Sequence, residues 1–326
     1  MSSQAARSPA GRRRRGGGGR EMVPPAQPRS YYGLPVIAEP VWKAEVPWYF
    51  VVGGMAGAAA PLAAGARATG NVALAQRASA VALAGSLISP VLLIADLGRP
   101  ERFHHMLRVV KPTSPMNVGS WVLSGFGVTS ALAAGWQLLG IVPKAVGAPA
   151  AAAAGVLGPV LATYTAVLIS TTAIPAWHDA RHELPFVFAG SSLAAAGGAC
   201  LALTPVEHAA PARAMAVGGA LLELAADSVM EHRLEPVVRG SYERSPVRSL
   251  HLGARVCAIA GGLLAALLGG RSRSAAAAGG SLLVAGSALQ RLAIFKAGVA
   301  SAQDPVQTIE PQRKNHAKKL TNGCSE

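Results

Sequence analysis

Carboxylates and arginines lie inside long apolar runs of this sequence, where ionisable side chains are costly and therefore informative. Glu223 and Asp227 are four residues apart in one such run, so both carboxylates lie on the same face of a helix. Arg255 and Arg291 lie in the next two runs, at nearly the same expected depth as Asp227. The spacing predicts an ion pair of Asp227 with Arg255 or Arg291. This arrangement of charges is consistent with a structural role that holds the last three spans together, or with a proton path that uses Glu223 and Asp227.

Tyrosines and one glutamate indicate a second candidate site. Glu45 and Tyr49 lie at the start of the first apolar run, four residues apart, and share a helix face if the helix begins early. Tyr164 lies inside the fourth run, and a buried phenol usually finds a hydrogen-bond partner. Its hydroxyl suits either a quinone carbonyl or a neighbouring helix.

The segment after the second apolar run carries charges at the expected membrane surface. Asp96 ends that run, and Arg99 and Arg102 follow it. These side chains fit an ion-pair anchor at the interface. They also fit a site where Asp96 carries protons and the two arginines dock a partner.

A similar cluster follows the fourth run. His178 is a candidate proton carrier there, because histidine titrates near neutral pH. Asp179 and Arg181 are candidate docking residues for a partner protein. A solvated loop is the simpler interpretation, although the neighbouring Trp177 indicates an ordered one.

Resident metal centres are not expected on this chain. A haem between membrane helices needs histidines deep in the spans, whereas the histidines here lie in polar segments or at span ends. The three cysteines share no Cys-x-x-Cys spacing, which argues against an iron–sulfur cluster or a zinc site. If the protein handles electrons, a partner must supply the redox centres.

Eight apolar runs must position these side chains. Of all residues 51% are hydrophobic and only 14% are charged, whereas soluble domains average about a quarter charged residues. A helix needs about 20 residues to cross the hydrocarbon. The sequence therefore predicts an all-α integral membrane protein with spans at 47–66, 74–95, 118–140, 150–174, 185–204, 211–231, 250–270 and 275–297.

The basic residues predict the orientation of these spans. The net charge is +14, and 22 of the 30 Lys and Arg residues fall on the side of the two termini, which we call side A, against six on the opposite side B. The positive-inside rule then places both termini in the cytoplasm. The charge is thus a topology signal, and nucleic acid is not an expected partner. The composition of residues 1–30 predicts a disordered basic arm, and that of residues 301–326 predicts a polar tail.

Several segments, taken together, resemble the motifs of a known family. Residues 31–42 (YYGLPVIAEPVW), 96–103 (DLGRPERF) and 111–121 (KPTSPMNVGSW) resemble the NrfD/polysulfide reductase family of membrane subunits. Residues 177–186 (WHDARHELPF) are similar to a further segment of that family. The resemblance covers about residues 31–300.

The resemblance implies a fold, a cofactor and partners. Such subunits have two four-helix bundles, which here would be 31–184 and 185–300, and they carry no haem. They exchange electrons between membrane quinone, either menaquinone or ubiquinone, and a ferredoxin-like iron–sulfur subunit linked to a molybdopterin subunit. The quinone lies in the first bundle, at positions that match Glu45, Tyr49 and Tyr164.

The preferred hypothesis is therefore a quinone-reactive subunit of a multi-subunit oxidoreductase in the cell membrane. Two alternatives stay open at this point. One is a proton or small-solute transporter that uses the charges of the last spans. The other is a purely structural membrane anchor that holds a soluble enzyme through its side A loops.

Overall fold

The computed structural model describes residues 36–322, with side chains up to residue 313, and this part of the chain is all-helical. The expected basic arm at 1–30 lies outside the described residues. Short helices are α5 (Pro175–Asp179) and α8 (Pro236–Glu243), and the C-terminal helix is α11 (Pro305–Asn322). The long helices are α1 (Glu45–Ala68), α2 (Val72–Asp96), α3 (Pro115–Ala134), α4 (Lys144–Ser170), α6 (Leu184–Leu203), α7 (Ala210–Arg233), α9 (Val247–Leu267) and α10 (Arg273–Gln303).

Proline and polar caps set many of the helix starts. Proline occupies one of the first two positions of α3, α5, α6, α7 and α8, where its missing N–H is not needed. Asn71 caps α2 by accepting from the Leu74 amide, and Ser272 caps α10 in the same way. A π-helical turn at Gly135–Leu139 extends α3 and ends at Gly140, whose φ of 66° is left-handed.

Seven helices of the described part are long and apolar enough to cross a membrane. They are α1, α2, α3 with its π-helical turn, α4, α6, α9 and α10. Helix α7 has 24 residues and covers the remaining expected span at 211–231, but it does not meet this hydropathy criterion. The reason is its content of ionisable side chains, among them Glu223 and Asp227. The chain is a multi-pass membrane protein.

The long helices pack in two sets of neighbours. Helices α1 to α4 contact one another, and α6, α7, α9 and α10 contact one another, while α1 and α4 also contact α6. Glycines permit the closest approaches, because a side chain at Gly57 would meet the backbone of Gly158, and one at Gly198 would meet that of Gly280. Small residues thus replace large apolar side chains at the helix–helix contacts.

Trp177 anchors the side A end of the molecule. Its indole is fully buried, stacks on Trp42 and packs against Phe295. Its Nε1 donates to the carbonyl oxygen of Ile294 at 2.8 Å. The segment between α4 and α6 is therefore ordered, and it joins the start of α1 to α10.

Candidate functional site

Two tyrosine hydroxyls meet between α1 and α4. Tyr49 and Tyr164, which the sequence places 115 residues apart, are hydrogen-bonded to each other through their phenolic oxygens. Tyr49 is 1% exposed, and Tyr164 is partly buried against the same core. One of the two hydroxyls donates to the other, so one phenolic proton is left for another acceptor.

Two glycines make room for the tyrosine rings. A side chain at Gly119 in α3 would overlap the ring and hydroxyl of Tyr164. A Cβ at Gly53 in α1 would lie 3.1 Å from the Tyr49 ring. Gly119 belongs to the segment KPTSPMNVGSW, so a motif residue that carries no chemistry has a steric role beside the tyrosine pair.

A small cavity adjoins the tyrosine pair towards side A. Its volume is about 70 Å³, and on the same measure about 10–15 Å³ is enough to hold one water. Its walls are mostly apolar and include two methionines, whose unbranched side chains adapt readily to a ligand. The lining residues are Trp42, Val46, Tyr49, Phe50, Leu93, Asp96, Leu97, Met106, Met116, Ser120, Tyr164 and Leu168.

Asp96 brings a carboxylate to the same cavity. Its Oδ1 accepts from the backbone amide of Lys43 at 2.9 Å, which ties the end of α2 to the start of α1. Glu45 is half-buried at the first residue of α1, but it is not part of the cavity lining. The structure therefore brings Tyr49, Tyr164 and Asp96 together and leaves Glu45 one turn away.

The expected docking residues surround this end of the molecule. Arg99, Arg102 and Arg181 are exposed, as is the expected proton carrier His178. Asp179 is half-buried and accepts from the backbone amide of Glu235 at 3.2 Å, so it also holds the loop after α7 in place.

A second polar site lies between α7, α9 and α10. Asp227 is fully buried, and its carboxylate accepts from Arg255 Nε at 2.8 Å and from Gln290 Nε2 at 2.8 Å. His251 Nε2 lies 2.9 Å from the same carboxylate, and Arg255 also contacts Glu231 at 2.6 Å. Of the two arginines expected as partners of Asp227, the structure brings Arg255 to it.

Arg291 has different neighbours. It is fully buried and donates to the carbonyl oxygens of Phe50 and Phe188 and to the Ser192 hydroxyl, while its guanidinium lies 4.5 Å from the centre of the Phe188 ring. The buried acid that interacts with it electrostatically is Glu223. Of the two alternatives for the partner of Asp227, the pairing with Arg291 is therefore not the one formed, because the two side chains face different neighbours. Arg291 instead joins α10 to α1 and α6.

Sequence reasoning did not find several residues of these sites. Met106 enters the cavity wall because the 3₁₀-helical segment Pro100–Leu107 contacts α2 and α3, whereas Met116 and Ser120 lie in the first turns of α3 itself. His251 precedes Arg255 by one helical turn, and this spacing was a usable signal for a shared face towards Asp227. Gln290, an uncharged residue next to Arg291, offered no comparable signal.

One family model matches most of the chain. The NrfD_2 model, described as polysulfide reductase, matches residues 29–303. The chain belongs to the NrfD/polysulfide reductase family. None of the curated proteins compared with the chain matches it. Membership makes this protein a membrane subunit of an oxidoreductase complex, in a family associated with quinone-linked oxidoreductases.

Proposed function

We propose that this subunit exchanges electrons between membrane quinone and an iron–sulfur partner, and that the quinone headgroup binds beside Tyr49 and Tyr164. The observation that carries the proposal is the tyrosine pair at a cavity that also holds the Asp96 carboxylate. No other cavity found in the described residues combines two phenols with a carboxylate at the side A end of α1 to α4.

The chemistry of quinol oxidation requires these groups. A quinol that becomes a quinone gives up two electrons and two protons. A phenolic hydroxyl can donate to a ring oxygen and hold the ring in place, while a carboxylate can accept a proton. In this proposal Tyr164 and Tyr49 orient the ring, Asp96 accepts protons, and the exposed His178 passes them to side A.

The cavity must widen to admit a quinone ring. A neighbouring cavity of about 80 Å³ shares Leu93, Leu97, Met106 and Ser120 with the first. Met106 lines both cavities and lies in the 3₁₀-helical segment Pro100–Leu107, and we propose that movement of its side chain joins the two. We propose that the joined cavity is the quinone site.

The electrons need an acceptor outside this chain. Arg99, Arg102 and Arg181 present positive charge around the cavity end and suit a ferredoxin-like subunit with an acidic face. That subunit would connect to a molybdopterin subunit, which carries the substrate chemistry. Asp179 supports this surface by fixing the loop that follows α7.

The topology belongs to the same proposal. We propose that α7 is the eighth span, that 31–184 and 185–300 form two bundles, and that both termini are cytoplasmic. The saturated cluster around Asp227 supports a buried α7, because its charges have partners within the protein. A reporter fused after Glu326 should be active only as a cytoplasmic fusion, and activity confined to the opposite side would refute this topology.

Quinone-dependent reduction of the co-purified iron–sulfur partner tests the function. In complexes of normal composition, Tyr164→Phe should lower turnover about three- to tenfold, which corresponds to one lost hydrogen bond. Phe preserves the ring that packs against Gly119, so assembly should not change.

A matched tyrosine outside the cavity supplies the control. Tyr242→Phe removes a buried hydroxyl from the other helix set and should leave quinone turnover unchanged. Wild-type turnover in the Tyr164→Phe complex would remove Tyr164 from the site. Normal assembly without any quinone-dependent electron transfer in the wild-type complex would instead favour a purely structural anchor.

A further inference from the structure

A larger cavity lies at the side A end of the other helix set. Its volume is about 530 Å³, and it is formed by the end of α7, the short helix α8 and the start of α9. The proposed quinone chemistry does not use it. All but one of its lining residues carry a charged or polar group, and they are Glu231, His232, Arg239, Tyr242, Glu243, Arg248, His251, Leu252 and Arg255.

Two buried atoms at this cavity have no hydrogen-bond partner among the described residues. They are the hydroxyl of Tyr242 and the Nε of Arg239. The Tyr242 side chain is only 3% exposed, so solvent does not readily satisfy its hydroxyl. A buried polar group without a partner is unfavourable, and a ligand at this position would remove that cost.

The chemistry of these atoms indicates the kind of ligand. Arginine Nε can only donate a hydrogen bond. Burial and the nearby carboxylates of Asp227 and Glu231 raise the pKa of Tyr242 well above its usual range, so its phenol keeps its proton and can also donate. A ligand that satisfies both donors must therefore be a hydrogen-bond acceptor, and an oxyanion can accept several hydrogen bonds at once.

The charges of the cavity wall are consistent with an oxyanion. Arg239 and Arg248 are the two arginines that line it besides Arg255. The Glu231 carboxylate is already bound by Arg255 at 2.6 Å, and Glu243 is exposed at the rim. A cation is a poor fit, because the guanidinium of Arg255 already occupies the position between Asp227 and Glu231.

The surroundings favour a lipid as the source of the oxyanion. Leu252 lines the cavity and begins an exposed apolar row on α9, which continues through Val256, Ile259 and Leu263. Their spacing of three or four residues keeps them on one face of the helix. An acyl chain can follow this row while the headgroup occupies the cavity, and basic pockets between helices on the cytoplasmic side typically bind acidic headgroups.

We propose that this cavity binds the phosphodiester group of an anionic phospholipid from the side A leaflet. Arg239 and Tyr242 donate to the phosphate oxygens, Arg248 adds charge at the rim, and the acyl chains lie along α9. This inference does not depend on the proposed quinone site, which lies in the other helix set.

Native mass spectrometry of the full chain, titrated in detergent with phosphatidylglycerol, tests the proposal. Arg239→Gln should weaken binding about tenfold, because a charge-assisted hydrogen bond is lost. Tyr242→Phe should weaken it about threefold while keeping the ring volume, so it remains informative if Arg239→Gln does not fold. The unfolding temperature of each variant in the same detergent identifies a folding defect.

Arg108→Gln is the matched control, because Arg108 is an exposed arginine at the side A end of the other helix set. It removes the same charge and should leave phosphatidylglycerol binding unchanged. Equal weakening by Arg239→Gln and Arg108→Gln would overturn the site, since it would reflect net charge alone. So would wild-type affinity in both cavity variants.

Two further titrations distinguish the possible ligands. Phosphatidylcholine, whose headgroup has no net charge, should bind at least several-fold more weakly, and equal affinity would overturn the assignment to an anionic lipid. Inorganic phosphate at the lipid's concentration should not displace phosphatidylglycerol, because it lacks the acyl chains. Displacement at that concentration would assign the cavity to a free anion and overturn the lipid proposal.

Discussion

The polar groups around Asp227 and those around Tyr164 differ in how completely their hydrogen bonds are satisfied. Asp227 is fully buried and is contacted by His251, Arg255 and Gln290. Among the described residues, the hydroxyls of Tyr49 and Tyr164 have only each other as hydrogen-bond partners, and they lie beside a cavity.

We interpret this difference as one between a structural role and a chemical role. A carboxylate whose partners are all supplied by the protein holds helices together and has little capacity left for a ligand. A pair of phenols with one free proton and adjacent space can still bind an acceptor. Polar residues within the membrane are therefore not equivalent. Their unused hydrogen-bonding capacity is a better guide to function than their presence alone.

The largest effect should come from the Asp227 cluster. Asp227→Leu removes the acceptor that His251, Arg255 and Gln290 share, and should lower the free energy of unfolding by about 3–5 kcal/mol. Denaturant or thermal unfolding of the purified chain measures this loss. Asp227→Asn retains the shape and one acceptor oxygen, so it should cost less. If Asp227→Leu unfolds like wild type, the cluster is not structural.

Asp96 should show the opposite behaviour. Asp96→Asn keeps an oxygen for the Lys43 amide, so the fold should be retained. Quinone turnover should fall by about 10²-fold, and its pH profile should change, because a general base is lost. Asp304→Asn, which alters a carboxylate on side A that pairs with Arg244, is the control with expected wild-type turnover. Parallel pH profiles for Asp96→Asn and wild type would exclude a proton-transfer role.

Crowding the tyrosine pair should reduce function more than it reduces stability. The methyl group of Gly119→Ala would overlap the Tyr164 ring, which must shift at a cost of about 1–3 kcal/mol. The expected result is slower quinone turnover in complexes of normal composition. Gly127→Ala on the same helix meets no atom within 4 Å and should behave as wild type. Equal turnover in the two variants would show that the tyrosine geometry does not matter.

The smallest effect concerns the partner of Arg291. A double-mutant cycle of Arg291→Leu with Glu223→Gln should give a coupling of about 1 kcal/mol in unfolding free energy. In the same cycle of Arg291→Leu with Asp227→Asn, the changes in unfolding free energy of the two single substitutions should be additive. Coupling to Asp227 and not to Glu223 would contradict the packing described for α10.

Much of the architecture could be predicted from the sequence. Each of the eight predicted apolar runs overlaps one long helix of the structure. The runs could be found in the sequence because the length of an apolar run is a local property that needs no tertiary contact. Seven of these helices also meet the hydropathy criterion, and α7 does not because of its acidic residues. The expected depth of Asp227 followed from simple helix rise, and it placed Arg255 among the two candidate arginine partners, although it did not find His251 or Gln290.

The choice between those arginines was made by helix rotation, for which the sequence offered one indirect signal, the one-turn spacing of His251 and Arg255. Arg255 faces Asp227 because it lies one turn after His251 on the inner face of α9, whereas Arg291 is turned towards Phe50 and Phe188. The tyrosine pair was nominated from the resemblance, but its contact required α1 and α4 to approach at Gly57 and Gly158.

The sequence by itself determined that the chain is helical, apolar and embedded in a membrane, because composition and run length are properties of each segment alone. Only the tertiary structure decided which polar groups are satisfied and which are left with capacity to bind. Hydrogen bonding depends on distances of about 3 Å between atoms far apart in the chain. The unmatched donors of Arg239 and Tyr242, three residues apart on a short helix, became visible only in that arrangement.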